Sequence, residues 1–235
     1  MAYKIDGACL PVEFLVMGSI DNNVYLIGDG DTVIVVDPTC DAPRIVSALK
    51  GRTVGAIVLT HRHWDHVGAA RDLRETTGAT VVASRIDAPW ITGEKKVRGE
   101  SHPVPPCPVD HLVDHGDILQ IGSMPWKVIG TPGHTPGSIC LYIDPRFGTN
   151  PQGAPLLVSG DTLFCGAIGR TDFVGGSLEA MCASLKRLAV LRDNTIVLPG
   201  HGEPTTIGAE RRRVFARYAP AEPEGASEDD ERFTC

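Results

Sequence analysis

Ala56-Ile57-Val58-Leu59-Thr60-His61-Arg62-His63-Trp64-Asp65-His66-Val67-Gly68 is the stretch on which the reading of this chain turns. Its first four residues form a short apolar run rich in β-branched side chains, the mark of a buried strand. The residues from His66 to Leu73 read as the start of a helix that continues to Thr77. Three imidazoles and a carboxylate, in the order H-x-H-x-D-H, thus stand on a strand-to-helix turn. α/β folds put their sites at such turns because rigid elements on both sides fix the side chains. His61 and His63, two apart in extended backbone, point the same way and can share one metal ion. Asp65 and His66 lie beyond the bend and face a different point, which predicts a second ion nearby. A divalent ion takes about four ligands, and a catalytic site leaves one position to water, so further ligands have to come from elsewhere in the chain. A tag-like histidine run is the weaker reading, because tags are terminal and lack the carboxylate.

The strands around this turn supply candidates. Upstream, Val12–Val16, Asn23–Ile27 and Thr32–Val36 are apolar runs, the last two joined through Gly28-Asp29-Gly30-Asp31, a hairpin signal. They predict an antiparallel opening to a sheet. The third run ends at Asp37, which could orient a ligand histidine or serve as a plain turn carboxylate. Asp41-Ala42-Pro43 opens a helix to about Leu49, and a strand over 80–83 follows the helix at 66–77, giving a βαβ series. Downstream, Trp126–Ile129 and Ser138–Ile143 flank Thr131-Pro132-Gly133-His134-Thr135-Pro136-Gly137, a rigid turn that presents His134 as a third imidazole. The run 155–159 delivers Asp161 to a strand end. The run 195–198 ends in Pro199-Gly200-His201-Gly202, another histidine between glycines. Ser177 starts a helix whose Leu178, Met181, Leu185, Leu188 and Leu191 form a core stripe, and a basic helix runs from about Ala209 to Tyr218.

Composition narrows the function. The chain has 235 residues, 42% of them hydrophobic, enough for a substantial core, and the expectation is one domain over 1–218 with an acidic, disordered tail over 219–235. A net charge of −7 argues against nucleic acid as a partner, and no apolar run approaches a membrane span or a signal core. The seven cysteines are scattered and odd in number, which fits reduced thiols in a cytoplasmic protein. Cys165 is expected to be a small buried residue. The proline-rich stretch 93–109 reads as a functional or mobile loop whose Lys95, Lys96 and Arg98 are solvated, and His102, His111 and His115 are read as structural. The oligomeric state is left open.

Taken in order, T-H-R-H-W-D-H, P-G-H-T, S-G-D-T-L-F and L-P-G-H-G resemble the motifs of the metallo-β-lactamase superfamily over about residues 12–215. The resemblance implies an α/β fold, the αβ/βα four-layer sandwich, in which two mixed sheets pack face to face with helices outside. It makes His61, His63 and His134 ligands of one divalent metal ion, Asp65, His66 and His201 ligands of a second, and Asp161 the bridge, with Asp65 and Asp161 as catalytic residues. The ions would be zinc, or else iron or manganese.

Gly160–Phe164, Gly169–Asp172 and Pro199–Gly202 are similar to the short bacterial members of the hydroxyacylglutathione hydrolase (glyoxalase II) group. That implies hydrolysis of a small-molecule thioester or related acyl bond by a metal-bound hydroxide. Little follows His201, whereas typical members of that group carry a further helical domain that binds glutathione. Aspartate at 161, where antibiotic-degrading members most often have cysteine, disfavours β-lactam hydrolysis. The alternative is a persulfide dioxygenase, which the run Gly169-Arg170-Thr171-Asp172-Phe173 also resembles and in which counterparts of His61, His134 and Asp161 hold one iron. There the counterpart of Arg170 helps hold glutathione; here Arg170 serves substrate or a structural salt bridge.

Overall fold

A computed structural model describes residues 2–28, 30–96 and 102–220. Arg98 and the tail from Ala221 onward therefore lie outside the described residues. The first sheet has seven strands in chain order: β1 (Tyr3–Ile5), β2 (Val12–Met17), β3 (Asn22–Gly28), β4 (Thr32–Val36), β5 (Thr53–Leu59), β6 (Val81–Ser84) and β7 (His111–Val113). Pairing is antiparallel from β1 to β4 and parallel from β4 to β7. The parallel part follows from the crossovers α1 (Ala42–Leu49), α2 (Trp64–Val67) and α3 (Ala70–Thr77), since parallel neighbours need a long connection. A further short helix, α4 (Ala88–Ile91), follows β6.

The second sheet contains β8 (Ile118–Ile121), β9 (Met124–Gly130), β10 (Ile139–Ile143), β11 (Leu156–Gly160), β14 (Ile196–Pro199) and β15 (Thr205–Thr206), with β11 and β14 parallel and the other pairs antiparallel. A separate hairpin, β12 (Leu163–Phe164) with β13 (Ala167–Ile168), and helix α5 (Leu178–Ala189) fall between β11 and β14.

Alternation along the buried strands builds the layers. Ala56 and Val58 of β5 face the space between the sheets, where they meet Trp126, Val128, Leu141 and Val158. Ile57 and Leu59 face the opposite way, onto Ile45 of α1 and Leu73 of α3. In β11, Leu156 and Val158 point inward while Leu157 packs under Met181, Leu185 and Leu188 of α5. Strands that are apolar on both faces are what a sheet covered on both sides requires. The result is the four-layer α/β sandwich with mixed sheets that the sequence predicts.

Several details depart from expectation. The helix expected to run from His66 to Thr77 is two helices, broken at Gly68 and Ala69. The break is a packing contact: a Cβ on Gly68 would lie 2.1 Å from the carbonyl oxygen of Thr39, and the Ala69 amide donates to the Pro38 carbonyl at 2.9 Å. Leu178 is exposed, and Leu191 lies beyond the end of α5, so the core stripe of that helix is Met181, Leu185 and Leu188. The first turn points away from the sheet, and Ser177 caps it by accepting from the Ala180 amide. The basic helix begins at Ile207, two residues earlier than expected, and winds into a π-turn at Arg211–Phe215 before ending at Tyr218. Cys165 is exposed rather than buried, because it sits on the tip between β12 and β13.

The close seat of Gly68 gives a stability prediction. Gly68→Ala drives a methyl into backbone that cannot move without displacing the 37–39 turn. Unfolding in urea should show a loss of about 1–3 kcal/mol, the usual cost of forcing volume into a packed site.

Candidate metal centre

All seven residues singled out as ligands meet at one edge of the sandwich. His61 leaves β5, and His63 follows it in extended backbone. Asp65 and His66 occupy α2, His134 lies on the turn between β9 and β10, Asp161 follows β11, and His201 follows β14. Two groups of potential ligand atoms form, His61 with His63 and His134, and Asp65 with His66 and His201, each within 4.8 Å of one another. Asp161 lies between them: one carboxylate oxygen is 3.4 Å from His66 Nε2, the other 3.4 Å from His134 Nε2 and 3.6 Å from His201 Nε2.

Hydrogen bonds at the back of the imidazoles set which nitrogen faces inward. His66 Nδ1 donates to Asp37 Oδ2 at 2.9 Å, His134 Nδ1 to the Arg170 carbonyl at 2.7 Å, and His201 Nδ1 to the Ile20 carbonyl at 3.0 Å. Thr60 Oγ1 donates to Asp37 Oδ2 at 2.6 Å and so accepts from His61 Nδ1 at 3.0 Å. In the neutral imidazoles this leaves four Nε2 atoms as the unprotonated ones, aimed into the cage, the outer-sphere arrangement metal-binding histidines use.

The cage fits divalent ions. Buried His61 Nε2 and Asp161 Oδ1 have no hydrogen-bond partner, an expensive condition unless something else satisfies them. Bonds of about 2.0–2.1 Å meeting tetrahedrally place ligand atoms roughly 3.3–3.4 Å apart. His66 Nε2 lies 3.2 Å from Asp65 Oδ2 and His201 Nε2 3.3 Å from the same oxygen, close to that spacing, while His63 Nδ1 and His134 Nε2 are tighter at 2.8 Å. Asp37 with His61 and His66 also forms a compact group, but both Asp37 oxygens are already occupied by hydrogen bonds, including one from the Thr60 amide at 2.7 Å.

The two triads differ electrically. Burial pushes His61 well below the usual imidazole range, with neighbouring histidines adding to it, and takes His63 down to about 3; burial also lowers His134. These three stand as neutral imidazoles, the form a metal ligand needs. His66 and His201 go the other way: burial opposes their charged forms, but Asp161 and Asp37 raise His66, and Asp65 with Asp161 raises His201. Burial would raise Asp65 and Asp161, but hydrogen bonds from His201, His66 and Asn22 hold Asp65 far below the carboxylate range, and the charges of His66, His134 and His201 lower Asp161. A cation entering the second triad therefore displaces protons, the linkage expected of such sites.

Some neighbours carry no motif that would reveal them. Asn22, buried at the start of β3, donates to Asp65 Oδ2 at 2.8 Å. Asp87, fully buried, accepts from the Arg62 amide at 3.1 Å and from Thr135 Oγ1 at 2.6 Å, tying the 61–66 turn to the 131–137 turn. His102, read as structural from sequence, stacks on Trp64 with ring centroids 4.2 Å apart and lines the cavity over the cage. His115 accepts from the Gly130 amide and His111 sits exposed on β7, away from the cage. Lys95 lies over the Trp90 ring at 4.6 Å. Arg170 is paired with Asp172 at 2.9 and 2.7 Å on the rim.

A family model for the metallo-beta-lactamase superfamily matches residues 18–201. The chain belongs to that superfamily. It is 35% identical over 203 residues to the probable metallo-hydrolase YqgX of Bacillus subtilis, covering 83% of this chain and 92% of that protein. It is 30% identical over 209 residues to the hydroxyacylglutathione hydrolase GloC of Haemophilus influenzae, covering 86% and 95%. Among solved structures, the BLEG-1 B3 metallo-β-lactamase superposes with TM-score 0.77 at 34% identity, covering 88% of this chain and 99% of that one. TTHA1623 in a di-iron-bound form gives 0.71 at 35% identity, covering 85% and 96%. ETHE1 from Myxococcus xanthus gives 0.68 at 30%, covering 86% and 82%. The superfamily is one of metallo-hydrolases that bind divalent metals, and this member is an enzyme with a metal site of that kind. Among the described residues no helix is long and apolar enough to cross a membrane.

Two substitutions probe the cage from outside. Asp37→Asn removes one of the acceptors that orient His61 and His66. Titration with a chromogenic chelator should show metal affinity falling about 10–100-fold, with little change in fold by circular dichroism. Gly200→Ala places a methyl 2.3 Å from Asp161 Oδ1 and 2.7 Å from His66 Cε1, so metal content after purification should drop although no ligand is altered.

Proposed function

We propose that this enzyme is a binuclear metallohydrolase of the glyoxalase II type, cleaving a thioester or related acyl bond of a small molecule. The observation that carries the reading is the assembly of both triads around Asp161. Two ions would use both triads, whereas one iron held by His61, His134 and Asp161 would leave the second triad without an ion. Similarity to GloC over nearly the full length of both chains supports the thioester, and similarity to a di-iron protein supports two ions whose identity is zinc or iron, with manganese as the third candidate.

In this reading His61, His63 and His134 hold one ion, Asp65, His66 and His201 the other, and Asp161 contributes to both. Bound there, divalent cations supply Lewis acidity that brings the pKa of water toward about 7 and polarises an acyl oxygen. The protein's own part is orientation and charge. Asp65 and Asp161 offset two of the four positive charges and leave the floor net positive where an oxyanion develops. Asp65 would accept a hydrogen bond from the attacking water and take its proton as the new bond forms. Asn22 fixes the Asp65 carboxylate in that orientation. Burial of His61, His66 and Asp161 keeps bulk water from competing for the same groups.

Similarity to a B3 enzyme at 34% identity names the β-lactam amide as a rival acyl substrate, and the aspartate at 161 weighs against it. Similarity to ETHE1 and the Gly169–Phe173 run make the persulfide dioxygenase the second reading, distinguished by one iron and oxygen uptake.

Elemental analysis with parallel assays tests this. Two equivalents of metal and hydrolysis of S-lactoylglutathione are expected, abolished by a strong chelator and restored by adding metal. Asp161→Ala should lose at least 100-fold in kcat/KM together with metal content. One equivalent of iron, with oxygen consumed on glutathione persulfide and no hydrolysis, would replace this assignment by the second.

A further inference from the structure

The cavity above the cage, about 600 Å³, has a polar floor and an apolar mouth. Three of the ten exposed large apolar side chains among the described residues, Ile20, Phe173 and Val174, stand at this one opening, at 49%, 41% and 71% exposure. Exposed apolar groups gathered at one opening mark a place that binds something apolar. They form two lips. Phe173 packs edge-on to His63 and His134, with ring centroids 5.3 and 5.7 Å apart, on the side of the first triad. Phe164 lies 6.2 Å from the His201 ring, and the Ile20 carbonyl accepts from His201, on the side of the second.

Among the described residues two guanidinium groups line the cavity, and each is already paired with a carboxylate of the protein. Arg62 is buried, ion-paired with Asp87 at 3.5 Å, seated over Trp90 at 4.3 Å, and donates to the Val174 carbonyl at 2.7 Å. It serves the lip rather than the ligand. Arg170 is neutralised by the two-point pair with Asp172 and lies over the Phe173 ring at 4.3 Å, so its stem and face widen the apolar surface. A substrate with several carboxylates meets guanidinium groups whose charge is already offset by Asp87 and Asp172, whereas an uncharged chain meets apolar surface directly.

We propose that the preferred substrate is a thioester or ester with an apolar acyl chain, held between Phe173 and Val174 on one side and Ile20 and Phe164 on the other. The inference rests on the acyl-hydrolase reading above and specifies its substrate. In the reaction the water oxygen bonds to the acyl carbon and the carbon–sulfur bond breaks. The sulfur leaves with the bonding pair and takes up one of the water's two protons, the other is released to solvent, and the acid departs as its carboxylate.

The test uses full-length, metal-loaded enzyme and S-acyl thioesters of N-acetylcysteamine, an uncharged thiol, from acetyl through butanoyl and hexanoyl to octanoyl, with S-lactoylglutathione for comparison. kcat/KM should rise with chain length, by up to roughly fourfold per buried methylene, so that octanoyl exceeds acetyl by at least tenfold and also exceeds S-lactoylglutathione. F173S and I20S should each flatten the dependence while metal content, measured on the same samples, stays at the wild-type value. V190S, on exposed surface outside the cavity, should keep the wild-type slope. Turnover without chain-length dependence, a preference for S-lactoylglutathione, or an unchanged slope in both lip variants would each overturn the apolar-acyl inference and leave acyl hydrolysis standing. No turnover of any thioester with two equivalents of metal bound would remove the hydrolase reading as well.

Discussion

One buried carboxylate holds the catalytic edge of this protein together. Asp37, at the end of β4 and almost wholly buried, accepts hydrogen bonds from the Thr60 amide, the Thr60 hydroxyl and His66 Nδ1. A carboxylate removed from water is tolerated only when its lone pairs are so occupied. Here those three donors belong to the end of β5 and to α2. The backbone at Asp37 takes a positive φ of 50°, a conformation a non-glycine residue keeps only where its surroundings enforce it. Satisfying Asp37 thus fixes the strand end that carries His61 and the helix that carries Asp65 and His66, and the remaining ligands are brought to a frame already set.

The same logic repeats around the cage. Asp87 joins the 61–66 turn to the 131–137 turn, and the Arg170 and Ile20 carbonyls hold His134 and His201 from behind. Glycines then let the pieces close up: Gly200 lies where any side chain would strike Asp161, and Gly160, at φ 48°, lies against Thr60. Ligands delivered by separate strands of two sheets can be positioned to fractions of an ångström only if their supports are themselves rigid.

The convergence of the seven candidate ligands was legible in the sequence because their chemistry and their placement coincide. Histidine and aspartate at the ends of apolar runs, between glycines, combine a rare residue type with a position that a buried strand makes plain. The residues themselves gave the antiparallel opening and the βαβ series, and the four layers came from the superfamily resemblance that the same motifs carry. Asp87 and Asn22 were not legible, because each lies in an ordinary local context and acquires meaning only through partners dozens of residues away. The break at Gly68 escaped for the converse reason: helical spacing continues through it, and what interrupts the helix is the Thr39 carbonyl, a tertiary contact. His102 was set aside for lacking ligand spacing, and it is stacking on Trp64, which no spacing encodes, that brings it to the cavity.

Floor and mouth therefore answer to different constraints. The floor is built from strand ends and requires particular donor atoms, so a change of one residue type changes the chemistry; superfamily membership accordingly shows there first. The mouth is built from the Ile20 turn, the β12–β13 hairpin and the 170–175 loop, where the requirement is shape and apolar area rather than a given atom. Arg62 connects the two, because its backbone sits between the candidate ligands His61 and His63 while its guanidinium donates to the Val174 carbonyl on the lip. One buried side chain therefore spans from the lip to the 61–66 turn, although no lip side chain is among the candidate ligands.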